Sequence, residues 1–272
     1  MRILFIIIII IWSEPSFSQL LADYPVKDLE PAEYVVTYSL KYQEDSLNPN
    51  FIRQDNMLLF LGKNISQFLS NNSYVFENDM KKIATESQLQ EYLNQRPPMP
   101  HLVYRIYKNF PKGKISFTDY VSPNHLKYEE NLDLFKWQLD NDTTTINGYK
   151  AQKATCDFGG RSWVAWFSPE IPSNDGPYVF NGLPGLIITV YDTRNHYVFE
   201  LVSIEKPSNE LMIKYAERQY IETTKQGFFK AKDAHRDNIL SWAKNRGFSD
   251  EEQQSAVRMM AEDNNPIELK RK

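Results

Sequence analysis

The chain has 272 residues, with 31 Lys+Arg against 35 Asp+Glu and a formal net charge of −4. That length suits one large domain or a domain with an appendage, and 42% hydrophobic residues can bury a core, which excludes disorder as the main state. Mild acidity argues against a nucleic-acid binder, which needs a clustered basic surface, and 10 Gly with 15 Pro exclude a collagen-like or low-complexity chain.

Arg2 precedes an unbroken apolar run over residues 3–12, followed by Pro15 and the small-residue site Ser16-Phe17-Ser18. That order is the pattern of a secretory signal peptide over residues 1–18, cleaved between Ser18 and Gln19. As a helix the run covers about 15 Å, roughly half a bilayer core, so it is too short to span; an uncleaved signal anchor is the competing reading. Cleavage removes Arg2 and Glu14 together, leaving residues 19–272 as a single exported domain of unchanged net charge. No later stretch is apolar enough to cross a membrane.

Period-two alternation dominates the first two thirds. Tyr34, Val36, Tyr38, Leu40 and Tyr42 share one face and Thr37, Ser39, Lys41 and Gln43 the other, the pattern of a half-buried antiparallel strand. Short runs at 57–61 and 65–69 flank Gly62-Lys63-Asn64, and runs at 102–110 and 115–121 flank Pro111-Lys112-Gly113-Lys114. Both read as hairpins. Further strands are expected at 134–140 and 149–158, with a turn ending in Asn147-Gly148, then at 161–167 after Gly159-Gly160, and finally at 186–191 and 196–204. Between the first two turns of chain, residues 73–95 lack Gly and Pro and carry Phe76, Met80 and Ile83 at helical spacing, so one helix is expected there, stopped by Pro97-Pro98. A C-terminal helical segment is expected over about 223–264, interrupted at Gly247 and restarted by a capping box from Ser249 to Glu252. The fold class is therefore α+β: one large meandering antiparallel β-sheet, half-barrel-like, covered by an inserted helix and C-terminal helices.

The search for catalytic and metal motifs returns little. His101, His125, His196 and His235 lie in unrelated contexts, and no HExxH, CxxC, G-x-S-x-G or P-loop occurs. No metal site or cofactor is expected. Asp140-Asn141-Asp142-Thr143 has the alternating oxygens of a calcium loop but lacks its Gly and distal Glu, so it reads as a solvated hairpin turn. Cys156 is the only cysteine, so no internal disulfide can form, and its strand-like flanks mark a buried structural thiol. The carboxylates Glu170, Asp175 and Asp192 could serve a hydrolase, yet nothing pairs them with a base or nucleophile at readable spacing.

The densest stretch runs from Arg161 to Tyr191. Alternation puts Arg161, Trp163, Ala165 and Phe167 on one face and Ser162, Val164, Trp166 and Ser168 on the other, so one of the two Trp faces is expected to meet a ligand, a partner or a covering helix. Pro169, Pro172 and Pro177 brace the loop that follows. Leu183-Pro184-Gly185-Leu186 fits a type II turn, with Pro second and Gly third, seating a core strand. Arg161, Trp163, Trp166 and Glu170 are the candidate ligand- or partner-binding residues, and Gly182, Leu183, Pro184, Gly185, Leu186 and Ile187 are expected to be mainly structural.

That last hexapeptide, with Gly148-Tyr149-Lys150, Lys153-Ala154-Thr155-Cys156, Gly160-Arg161, Ala165-Trp166, Pro169-Glu170-Ile171-Pro172, Gly176-Pro177 and Asn265-Pro266-Ile267-Glu268-Leu269, resembles the GLPGLI family over nearly all of the exported chain. Ala151 departs from it, standing where many members carry a second Cys. The resemblance implies an exported protein of the Bacteroidetes envelope, in the periplasm or on the periplasmic face of the outer membrane. It implies no assigned activity and no catalytic residues to carry over, and it hints at an accessory role beside TonB-dependent receptors. Two functions are therefore expected: a non-enzymatic accessory protein binding an outer-membrane partner, or a half-barrel carrier of a lipid, lipidated protein or peptide, whose cavity Tyr34, Tyr38, Trp137, Trp163 and Trp166 would line.

Overall fold

The computed structural model describes residues 24–245, 249–251, 253–254 and 264–270. The expected signal peptide and most of the expected helix after Ser249 lie outside the described residues.

Twelve strands form one open sheet. The chain lays down a first meander from β2 (Tyr34–Gln43) through β3 (Ile52–Leu61), β4 (Ser66–Ser70), β5 (Arg105–Lys108) and β6 (Lys114–Val121) to β7 (Asn124–Asn131). It then crosses to the far side and returns as a second meander, β8 (Gln138–Ile146), β9 (Tyr149–Phe158), β10 (Arg161–Ser168), β11 (Leu186–Asp192) and β12 (Tyr197–Glu205). The meanders join where β12 pairs antiparallel with β2, setting Phe199 opposite Leu40 and Leu201 opposite Tyr38. A short strand β14 (Tyr220–Glu222) adds to β7 in the one parallel pairing among the described residues, and the sheet stays open, with β14 and β8 at its edges. The large, meandering, predominantly antiparallel sheet is as the alternation predicts.

Its two faces are covered differently. The inner face buries Val36, Tyr38 and Leu40 from β2, Trp163, Ala165 and Phe167 from β10, and Phe199 from β12 in the main core. Helix α3 (Lys225–Asn245) closes one end of that core, its Phe228 ring 5.4 Å from Phe117 and 5.0 Å from Tyr128. On the outer face, Leu58, Phe60 and Leu69 form a second core with Ala32 and Ile213. A two-stranded ribbon of β1 (Val26–Pro31) and β13 (Met212–Ala216) lies over them. Apolar residues on both faces explain why β3 ends in an unbroken hydrophobic run rather than an alternation.

The inserted helix differs from expectation. It is two helices, α1 (Asn71–Met80) and α2 (Glu86–Asn94), and α1 leans on the outer core, with Tyr74 5.4 Å from Phe60. The break has a local cause: the Thr85 hydroxyl accepts from the Gln88 amide at 3.3 Å while the Gln88 side chain accepts from the Thr85 amide at 3.2 Å, a capping box that starts a new helix. Residues 140–146 also depart from expectation, being strand rather than turn. They belong to the edge strand β8, whose pairing slips between Leu139 and Thr143, and Asp140 and Asp142 lie 3.4 and 2.9 Å from Lys153. The turn itself is only Asn147-Gly148, whose positive φ angles of 50° and 84° suit a two-residue hairpin.

Candidate functional site

Within the densest stretch of the sequence, Arg161 to Tyr191, residues 169–185 fold onto the inner face of the sheet. Tyr178, Val179 and Phe180 are buried in the main core, where the Phe180 ring lies 4.7 Å from Trp163 and 5.2 Å from Phe135. Tyr38 of β2 donates its hydroxyl to the Ile187 carbonyl at 2.7 Å, and Trp137 donates its indole N–H to the Asn181 carbonyl at 2.8 Å. The buried ammonium of Lys108 on β5 ties the loop down, donating to the Asp175 carboxylate and to the carbonyls of Gly176 (2.5 Å) and Phe180 (3.1 Å). Ser66 of β4 donates to the same carboxylate. Burial pulls the Lys108 pKa down and Asp175 opposes it. With all three N–H groups engaged, Lys108 offers no lone pair to activate Ser66, so this triplet anchors a loop rather than forming a base–nucleophile pair.

Gly185 is not the third residue of a type II turn. Its amide donates to the Leu183 carbonyl at 2.9 Å, a three-residue turn centred on Pro184, while the Leu186 amide goes to the Ile171 carbonyl at 3.2 Å. The reason for glycine is close approach: with φ at +155°, a Cβ there would stand 2.2 Å from the Ser168 carbonyl oxygen.

The four candidate binding residues divide into two pairs. Arg161, 5% exposed, is committed to its own chain. It pairs with Asp192 at 3.1 Å and donates to the Asn265 side chain at 2.6 Å and to the carbonyls of Pro266 and Ile267 at 2.7 and 3.0 Å. Its guanidinium also stacks 5.0 Å over the Tyr197 ring. These contacts fasten residues 264–270 as a strap, and the Leu269 and Lys270 amides donate to the Gly159 carbonyl at 2.6 and 2.8 Å. Gly159 and Gly160, at φ 60° and 80°, leave room for it, since a Cβ on Gly160 would meet Lys270 at 2.8 Å. Glu268 pins the strap's far end, accepting from the Tyr178 hydroxyl at 2.8 Å and lying 2.6 Å from Lys225; burial raises its pKa and Lys225 opposes the rise. Trp163 is equally internal, 1% exposed, with its indole N–H donated to the Phe158 carbonyl at 3.0 Å.

Trp166 and Glu170 are less enclosed. Trp166 is half-buried and packs partly against the main core, and Glu170 is exposed, its carboxylate accepting from the Lys150 amide at 3.1 Å. Beside Trp166 the outer face of β10, β11 and β12 is bare: Val164 lies opposite Tyr191 and Tyr191 opposite Val198, and none of the three belongs to either core. Val202 on the same strand is 59% exposed. Glu170 borders a cleft of about 890 Å³ between residues 170–185 and the strand ends, floored by Ser66, Lys108 and Asp175.

Cys156 is buried, with its thiol pKa pushed up to about 12 by burial and then by Asp157. Iodoacetamide at pH 8 is expected to alkylate it at least about 100-fold more slowly in the folded protein than in urea, because the thiolate is the reactive form. Equal rates, followed by intact mass, would contradict the buried-thiol assignment. Among the described residues, no group of three or more His, Cys, Asp and Glu side chains is placed to hold a metal ion.

The fold and site define an open antiparallel sheet whose inner face is packed by the protein's own loop and C-terminal strap. A family model described as a protein of unknown function (Porph_ging) matches residues 160–189, covering β10, the inner loop and the start of β11. That family is Bacteroidetes-associated and of unknown function, which fits a Bacteroidetes envelope protein. Two structures of PNGF-II, in C2 and P21 space groups, share the fold at a TM-score of 0.51 each, with 14% and 16% identity over 75% of this chain. The aligned part is 33% and 34% of those chains, so this protein spans about a third of PNGF-II, and at such identity the likeness concerns the fold alone. No curated protein sequence matches the chain.

Proposed function

We propose that this is a non-enzymatic accessory protein of the cell envelope that binds an outer-membrane partner, a TonB-dependent receptor being the partner the family resemblance suggests. The observation that carries the reading is the bare outer face of β10–β12. The ribbon and α1 cover the outer face over β3 and β4, whereas the half-buried row Val164, Tyr191 and Val198 belongs to neither core; Trp166, in the adjacent row, packs partly against the main core. Half-buried aromatic and aliphatic side chains beside polar neighbours are a common make-up of a protein interface. The carrier alternative has less support, because Tyr38 and Trp163 fill the main core, Trp137 packs against it, and the inner loop occupies the face a cargo would need.

The test is capture of partners from native envelopes in mild detergent, using tagged wild-type protein and a Trp166→Ala/Tyr191→Ala variant. A stoichiometric outer-membrane protein is expected with the wild type and not with the variant, whose melting temperature should fall by only a few degrees. Capture that survives the double substitution, or a lone chain carrying a lipid or peptide mass, would overturn the proposal.

A further inference from the structure

The cleft beside Glu170 is separate from the bare sheet face and has a chemistry of its own. We propose that it is a binding site for a neutral, hydroxyl-rich ligand, a short oligosaccharide. Its volume of about 890 Å³ falls in the range of small-molecule sites, roughly 300–1,000 Å³. The lining combines two kinds of group that such a ligand needs. Tyr34, at the start of β2, and Tyr149, at the start of β9, border the cleft; the Lys206 ammonium lies 5.7 Å from the Tyr34 ring centroid and Tyr149 packs partly against the main core, while neither phenolic hydroxyl hydrogen-bonds to another described residue. Flat aromatic rings suit the C–H face of a pyranose, and a phenol can both donate to and accept from a hydroxyl. The Glu33 carboxylate and the side chains of Ser173 and Asn174 likewise have no side-chain hydrogen bond among the described residues. Glu170 uses one oxygen on the Lys150 amide and keeps the other for a ligand. Planar carboxylates and amides accept or exchange pairs of hydrogen bonds with adjacent hydroxyls, which fixes a sugar's orientation.

Other ligand classes fit less well. An anion such as phosphate would need positive charge, but the Lys108 ammonium on the floor is neutralised by Asp175, and Lys63 is the remaining lining cation against Glu33 and Glu170. A lipid tail would need a continuous apolar lining, whereas the aliphatic side chains here (Leu61, Ile65, Leu132, Ile171 and Ile204) are interspersed with amides, hydroxyls and carboxylates. The floor is rigid because Lys108 joins the loop to β5 through three acceptors, so the cleft is preformed and its ligand avoids the cost of ordering it.

The test is a glycan-array screen of the purified protein, followed by titration calorimetry with maltotriose, triacetylchitotriose and mannotriose. Sodium phosphate and a lysine-rich peptide are titrated in parallel. Saturable binding of at least one neutral saccharide is expected, weakened at least tenfold in both Tyr149→Ala and Glu170→Gln. Glu170 is exposed and Gln is isosteric, so that variant is expected to keep its melting temperature even if Tyr149→Ala folds poorly. The proposal is overturned if no saccharide on the array or in the titrations binds, if only phosphate or the peptide binds, or if saccharide binding is indifferent to Glu170→Gln. Loss of partner capture in Trp166→Ala/Tyr191→Ala bears on the sheet face and leaves this result untouched.

Discussion

Arg161→Ala is expected to lower the free energy of unfolding by about 3–5 kcal/mol, as removal of one partner from a buried ion pair does elsewhere. The side chains of Arg161 and Asp192 are 2% and 1% exposed, so alanine leaves a carboxylate with no counter-ion in a nearly dry site. Asp192 keeps one hydrogen bond, from the Tyr197 amide at 2.8 Å, which does not replace the lost charge. The substitution also removes the donors that hold Asn265, Pro266 and Ile267, so the C-terminal strap loses its anchor on β10. Lysine should rescue poorly, because one ammonium cannot reach the four acceptors that the guanidinium fork reaches from its three nitrogens. Urea denaturation measures the first effect, and limited proteolysis after residue 263 the second. A loss below about 1 kcal/mol, with the strap still protected, would show that the ion pair and the strap are dispensable.

Gly185→Ala is the second large effect, with an expected loss of about 3 kcal/mol or more. A Cβ would sit 2.2 Å from the Ser168 oxygen and 2.5 Å from its carbonyl carbon, and both are backbone atoms that no rotamer change can move. Relief by shifting the chain is opposed on its C-terminal side, since the Leu186 and Ile187 amides are tied to the Ile171 and Asp175 carbonyls at 3.2 and 2.9 Å. Gly148→Ala is the control. Gly148 also has positive φ, at 84°, but a Cβ there meets nothing within 4 Å, so only local backbone strain of about 1–2 kcal/mol is expected. Equal melting temperatures for the two variants would show that the close approach at Gly185 is not limiting.

Much of the sheet is legible in the sequence because one wet face imposes alternation. β2, β9, β10 and β12 carry that signature and form within one or two residues of where it predicts. The elements that escape it have identifiable reasons. β7 shows only Leu126 and Tyr128 at period two amid charges, too brief a pattern to separate from a loop. β1 and β13 pair across about two thirds of the chain, so neither announces its partner. The helix break at 81–85 was readable, because Thr85 and Gln88 stand at capping-box spacing. Within the site, alternation separates Trp163 from Trp166 correctly, yet it cannot say which face the chain's own loop would fill. Arg161 stands out as a cation in an apolar strand, but its acceptors lie 104 to 106 positions away, beyond any spacing rule.

The bulged edge strand β8 bears on how this molecule behaves at high concentration. An open sheet presents unpaired backbone groups to any other strand, and a smooth edge would invite stacking of copies into fibrils. Here the slip between Leu139 and Thr143 interrupts the edge, and Asp140 and Asp142 place carboxylates along it. At the opposite edge β14 is three residues long, too short to template much. Aggregation by strand addition is thus discouraged at both ends, and association is directed to the broad face of the sheet, where side chains rather than backbone decide what is recognised.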